Sequence, residues 1–353
     1  MLSNISNAQT VIPLSNTHGF YNAYVIPIDG RARIDVQLVV LSGTYDEDGV
    51  SGIAHYTEHL AALSSDTKVL QEPRQRDLNA FTSKVSTVYT NTGNSKEIDR
   101  IMLLTRAVLE TPNLPIDFQK SEIDIVKREI LYKERNAPVR WLNRLALQKL
   151  YGSKSGRADN PVEDLNNITI EKAMSFHAKH YTPSNSILII SGDITQSLAQ
   201  AKVTEYFGNT LKTKQVPDLW LTHHPKDGLK SRTIISSTRI LDDSLSYAKF
   251  FKFPEPQDIL GMQASFFIAS DIYNSHMNDT LYLEGFTAQS FSQSSYIAIN
   301  GDLEYTATLI PFEGVSLEQA LNALEKAMAK MRTKKITQKE IKTARSKNAV
   351  SYT

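Results

Sequence analysis

The chain has 353 residues, 41% of them hydrophobic, which is enough for about two domains with real cores. Its 39 basic and 38 acidic side chains leave a net charge of +1, so no charge imbalance points to nucleic acid or to an acidic membrane surface as a partner. It contains no cysteine, which excludes thiol nucleophiles, cysteine metal sites and disulfides, and no apolar run of the roughly 18 residues that a membrane-spanning helix needs.

The opening residues, MLSNISNAQTVIPLSN, lack the basic and apolar regions of a secretory leader, so the expected compartment is the cytoplasm, or the periplasm if a leader has been removed. Residues 33–42 (RIDVQLVVLS) read as a buried strand, with Gly43 opening the turn that follows. Residues 51–63 read as a helix: the run has no proline, and its one glycine stands near the start. Residues 98–109 form a strongly amphipathic helix with Ile98, Ile101, Met102, Thr105, Val108 and Leu109 at helical spacing, stopped by Pro112 and Pro115. A third helix is expected over 118–135, where Ile123, Ile125, Val126, Ile130 and Leu131 repeat. Residues 137–165 read as helix and loop around Gly152, Gly156 and Pro161, followed by a strand at 187–191 and a helix at 197–206.

This pattern predicts a first α+β domain over 1–212 and a polar linker over 213–232 containing Pro217 and Pro225. A second α+β domain is expected over 233–353, with strands at 246–253 and 305–310 and helices at 256–274 and 317–332. Because the sequence stops at Thr353 inside a helical pattern, the second domain is read as incomplete.

The most informative stretch is His55-Tyr56-Thr57-Glu58-His59. On a helix, residues four apart lie one above the other, so His55 and His59 present two ring nitrogens on one face, and Glu58 reaches the same side. Imidazole and carboxylate suit zinc, and the order H-x-x-E-H is the inverzincin signature. The same spacing also suits an amphipathic helix with surface histidines. A catalytic zinc takes three protein ligands, so a third is required. Glu122 and Glu129, seven residues apart on the third helix, share one face; they fit a distant ligand with its supporting carboxylate, and equally two solvated acids.

With these residues in view, the chain resembles the pitrilysin/insulinase (M16) family of zinc metallopeptidases, which pairs HxxEH with a downstream ExxxxxxE. Here that second element is Glu122-Ile-Asp-Ile-Val-Lys-Arg-Glu129, and Glu129 follows His59 by 70 residues. Asn79-Ala80-Phe81-Thr82, followed by Tyr89, resembles the family's N-A-x-T segment, and Tyr181 to Asp193 resembles its entry into a central strand. The resemblance implies an α+β chain of two related α/β-sandwich domains of the metalloenzyme LuxS/M16-like type. It implies Zn2+ held by His55, His59 and Glu129, with Glu58 as general base and Glu122 orienting the ligands. It implies a peptide substrate aligned on an edge strand by Asn79, Ala80, Phe81 and Thr82, and a chamber closed by a homodimer or a homologous partner chain. The implied activity is that of a zinc-dependent endopeptidase acting on short or unfolded peptides; the alternative within the family is a non-catalytic structural or peptide-binding subunit. One departure stands out: the family's second domain bears an Arg and a Tyr in R-x-x-G-L-A-Y, and here Tyr282-Leu-Glu-Gly285-Phe-Thr-Ala288 lacks both.

Three further features are weaker. His177 and His180 read as a surface pair on a helix, His223-His224 as solvated linker residues, and the basic stretch from Lys326 to Lys347 as a solvated helix face rather than a nucleic-acid site.

Overall fold

A computed structural model of the chain describes residues 10–30, 32–47, 50–70, 78–83, 85–136, 166–208, 245–251, 259–296 and 303–351. The expected linker, the 137–165 segment and His223-His224 lie outside the described residues. The chain divides into two compact units, one holding the described residues 10–133 and 166–208 and the other 134–136 and the described residues of 245–351.

In the first unit, period-two alternation builds a six-stranded sheet. Its strands are β1 (Ile12–Pro13), β2 (Asn22–Pro27), β3 (Arg33–Val40), β4 (Leu78–Thr82), β5 (Thr87–Asn94) and β6 (Ser186–Gly192). They lie in the order β1-β2-β6-β3-β5-β4; β2 and β6 run parallel, and every other pair is antiparallel. β4 therefore forms one edge. In β3, Ile34, Val36, Leu38 and Val40 are fully buried while the residues between them are half-exposed or exposed. Burying each such side chain contributes roughly 1.5–3 kcal/mol. Gly192 ends β6 at φ +123°, where an added Cβ would meet the Arg33 carbonyl oxygen at 2.2 Å, so only glycine permits the close approach of β6 to β3.

Five helices complete this unit among the described residues: α1 (Ile53–Leu70), α2 (Ile98–Leu109), α3 (Ile116–Asn136), α4 (Ile170–His180) and α5 (Gln196–Phe207). Tyr56 and Leu60 from α1, Ile101 and Met102 from α2, Val126 from α3, and Val203 and Phe207 from α5 join the buried face of β3 in one cluster. The helices and strands expected among the described residues of this unit are present, within a few residues at their ends except that α1 runs on to Leu70.

β5 escapes the hydrophobic pattern because its inward face is polar. Thr87, Tyr89 and Asn91 are fully buried, and each is hydrogen-bonded: Thr87 Oγ1 to the Ser42 carbonyl at 3.0 Å, Tyr89 to the Tyr181 hydroxyl at 2.9 Å, and Asn91 Nδ2 to Thr105 Oγ1 at 3.1 Å. His177 departs from its expected surface position. It is buried, stacked on Tyr181, with Nε2 2.9 Å from the Val108 carbonyl, so that nitrogen ties α4 to α2.

The second unit has β7 (Leu245–Phe251), α6 (Ile259–Leu283), β8 (Thr287–Tyr296), β9 (Leu303–Pro311), α7 (Leu317–Met331) and α8 (Gln338–Ser351). Its antiparallel sheet has the order β7-β9-β8. Met277 and Leu281 of α6, Leu309 of β9, and Ala320, Leu324 and Met328 of α7 form a separate core. α6 runs nine residues past its expected end at Asn274, because no Pro or Gly interrupts the run before Gly285. There Gly285 at φ +73° and the Phe286 N–H bond to the Leu281 carbonyl close the helix. β8, whose sequence TAQSFSQSSY is mostly polar, is a second strand without an apolar signal. Each unit thus sets helices against an open sheet, the α+β architecture expected.

Candidate metal centre

The site is organised by α1. Gly52, at φ +91°, turns the chain into the helix, and buried Glu47 accepts the Ala54 N–H at 3.1 Å, satisfying a helix-end donor with a negative charge. Tyr56, Leu60 and Ala61 face the core. The Tyr56 hydroxyl donates to the Gln119 carbonyl at 2.8 Å and so ties α1 to α3. Burial, with the Glu122 carboxylate adding to it, pushes the Tyr56 hydroxyl up to about 12, which keeps it a neutral donor.

His55, Glu58 and His59 lie on the stripe of α1 left over by this packing. The two imidazoles stand 4.9 Å apart between centroids, at 83° to each other. Glu129 of α3 comes to both: its Oε2 is 3.5 Å from His55 Nε2, and its Oε1 is 3.9 Å from His59 Nε2. Glu122, two turns earlier on the same face, is buried, and its Oε2 lies 3.0 Å from His59 Nδ1. A carboxylate only accepts, so His59 donates from Nδ1 to Glu122, and its Nε2 faces Glu129. The hydrogen bond with His55 is the main force holding the Glu129 carboxyl down at about 2; the fields of His59, His55 and Lys133 add to it, and partial burial opposes it. Glu129 is thus anionic at neutral pH.

Among the described residues, His55, His59 and Glu129 are the one group whose donor atoms all lie within 4.8 Å of one another. Tetrahedral donors at zinc bond lengths of roughly 2.0–2.2 Å sit about 3.4 Å apart. The observed 3.5 and 3.9 Å match that spacing to within small side-chain adjustments. The donor types also fit: two imidazoles and one carboxylate, with a further carboxylate orienting one ring. Glu129 and Glu122 thus bring two carboxylates to the imidazole pair, a donor set that would suit a divalent cation.

Glu58, between the two histidines on α1, is not one of these three donors. It is buried, and its Oε2 accepts the Thr82 hydroxyl at 2.6 Å. The Tyr89 hydroxyl lies 3.5 Å from the Glu58 main-chain carbonyl and 2.9 Å from the Tyr181 hydroxyl. Burial is the main cause that raises the pKa of both tyrosines, so they remain protonated.

The four residues Asn79 to Thr82 do lie on edge strand β4, and alternation splits them. Phe81 is 54% exposed and Asn79 is exposed with it, while Ala80 packs on the core and Thr82 reaches Glu58. Glu47 is not singled out by the sequence, since its cap is signalled only by acids just before a helix start, and the contact of Tyr181 with Tyr89 carries no local signal.

Residues 29–153 match the family model for insulinase (peptidase family M16), and 167–348 match that for the peptidase M16 inactive domain. All five residues of the centre fall in the first match. An uncharacterized zinc protease of Mycobacterium leprae is 28% identical over 184 residues, 48% of this chain and 40% of that protein. The zinc protease PqqE of Helicobacter pylori is 24% identical over 226 residues, 59% of this chain and 50% of that protein. The matched segment thus spans half or less of these relatives' length. Among solved structures, a protease from Helicobacter pylori superposes with a TM-score of 0.76 at 18% identity, over 98% of this chain and 85% of that one. The peptidase M16 inactive domain from Pseudomonas fluorescens gives 0.70 at 16% identity, over 96% and 83%.

Proposed function

Because the chain belongs to the M16 peptidase family, we propose that it is a zinc-dependent endopeptidase that hydrolyses short or unfolded peptides. The observation that carries this reading is the convergence of His55, His59 and Glu129 from two helices, with Glu122 bracing His59 and Glu58 next to His59 in the same helix. Zinc held by the first three would supply a Lewis acid that polarises a carbonyl and acidifies water. Glu58 takes a proton from the attacking water and returns it to the departing amine nitrogen, so the carboxylate is regenerated. The outer edge of β4 aligns the peptide main chain by strand addition, which is indifferent to most side chains.

A second reading, a non-catalytic subunit, is favoured by one observation: Tyr282 and Ala288 stand where the family's second domain carries Arg and Tyr. In the enzyme reading a homodimer or a homologous partner chain supplies the facing half of the chamber, and its absence leaves most of the peptide in water. The decisive measurement is zinc content together with cleavage of an unstructured peptide library across a dilution series. About one zinc per chain is expected, with specific activity rising with concentration or on adding a partner chain. A zinc-loaded chain that cleaves no library peptide under either condition would establish the subunit reading instead.

A further inference from the structure

Thr82 sits where the peptide-aligning strand meets the proposed general base. Its hydroxyl donates to Glu58 Oε2 at 2.6 Å, a charge-assisted bond, and that acceptor is buried. A carboxylate held by one oxygen loses its rotational freedom and presents the other in a fixed direction. The donor itself is anchored. Thr82 pairs with Thr87 in the β4–β5 register, and the next residue, Ser83, closes the turn through its N–H to the Ser86 carbonyl at 2.8 Å and its hydroxyl to the Ser86 N–H at 3.0 Å. The Ser83 carbonyl accepts the Thr44 N–H at 3.0 Å, which ties the turn to the loop after β3. From the other side, the Tyr89 hydroxyl approaches the Glu58 main chain. Alternation along β4 then separates two duties: Asn79 and Phe81 face outward, and Thr82 faces α1.

We propose that Thr82 is a positioning residue for the reaction: it holds Oε2 of Glu58 so that Oε1 alone takes and returns the proton, and it makes the strand that aligns the peptide also set the base. This rests on the peptidase reading with Glu58 as base. A substrate pressed against the outer edge of β4 acts on the same short strand that ends in Thr82, so docking and base orientation are mechanically joined. Binding energy along the strand is thereby used to orient the reacting group.

The test compares Thr82→Val and Thr82→Ser in the zinc-loaded full chain, using an internally quenched unstructured peptide that the wild type cleaves. Valine keeps the shape and the strand preference and removes the donor; serine keeps the donor. Thr82→Val should lower kcat about 10- to 100-fold, the size of one hydrogen bond to a charged group, with KM and zinc content unchanged. Thr82→Ser should recover most of kcat. In a Glu58→Gln background, where the peptide is not consumed, adding Thr82→Val should leave the affinity for the peptide unchanged by fluorescence anisotropy. A raised KM or weakened affinity would overturn the proposal in favour of direct substrate contact by Thr82. Loss of zinc in Thr82→Val, or undiminished kcat, would overturn it while leaving the peptidase reading intact. A wild type that holds zinc and cleaves nothing overturns both.

Discussion

Both units place a histidine on a long helix and a glutamate about sixty residues later, and the two pairs end differently. His59 and Glu122 are 63 residues apart, and His276 and Glu340 are 64 apart. Each pair spans the same run of elements: helix, two antiparallel strands, two helices. In the first unit Glu122 takes Nδ1 of His59 and leaves Nε2 directed at Glu129 and His55. In the second, both ring nitrogens are engaged: Nε2 meets Glu340 at 2.6 Å and Nδ1 meets the Lys334 ammonium at 2.6 Å. Glu340 is bound further by the Thr337 hydroxyl and N–H at 2.7 and 2.6 Å, in a capping box at the start of α8. Those Thr337 bonds, with His276 behind them, hold its carboxyl down at about 2. A His–Glu pair therefore becomes a candidate metal centre when one nitrogen stays open and two more donors converge on it. Where a lysine closes the ring and a cap takes the carboxylate, the same pair is a local clamp.

The sharpest way to test this contrast is Glu58→Gln. Glutamine is nearly isosteric and cannot take the proton, so activity should fall roughly 10²- to 10⁴-fold while zinc stays bound. Parallel loss of zinc would make Glu58 part of the metal-holding set and redraw the centre. Glu122→Gln should act less strongly and on a different quantity. Glutamine still accepts the Nδ1 proton and carries no charge, so zinc affinity, measured by chelator competition, should drop about 10- to 100-fold. Unchanged affinity would mean that the His59–Glu122 pair is no more than the clamp seen at His276. The smallest effect is expected for Lys334→Gln. The exposed Lys334–His276 hydrogen bond adds little, so the melting temperature should move by no more than about 4 °C. Zinc content should stay at about one per chain, because His276 and Glu340 offer two donors where three are needed. A second zinc in that variant would show that the lysine alone keeps the second unit metal-free.

The helices of the first unit and its apolar strands were legible in the sequence because their signal is local. A 3.6-residue period marks α2, and alternation marks β3. The polar inward faces of β5 and β8 carry no such signal. In β5, what makes Thr87, Tyr89 and Asn91 tolerable inside is a set of partners from distant segments. His177 is similar: its partner is the Val108 carbonyl, 69 residues away, which its own helix does not announce.

For the candidate centre, the sequence by itself determined the rigid part. Spacing of three and four along a helix puts His55, Glu58 and His59 on one face whatever the rest of the chain does, because the helix pitch sets it. It also put Glu122 and Glu129 on one face of α3 by the same geometry. That these two faces meet was decided by tertiary packing, through Tyr56 on Gln119 and the burial of Val126, which set the register between α1 and α3. The assignment of Glu122 to His59 and of Glu129 to both imidazoles depends on that register, since a shift of one turn would carry either carboxylate about 5 Å away. The bond from Thr82 to Glu58 is likewise tertiary: a strand's alternation says only that Thr82 faces the opposite way from Phe81, and the sheet order, with β4 at the edge beside α1, decides what it meets.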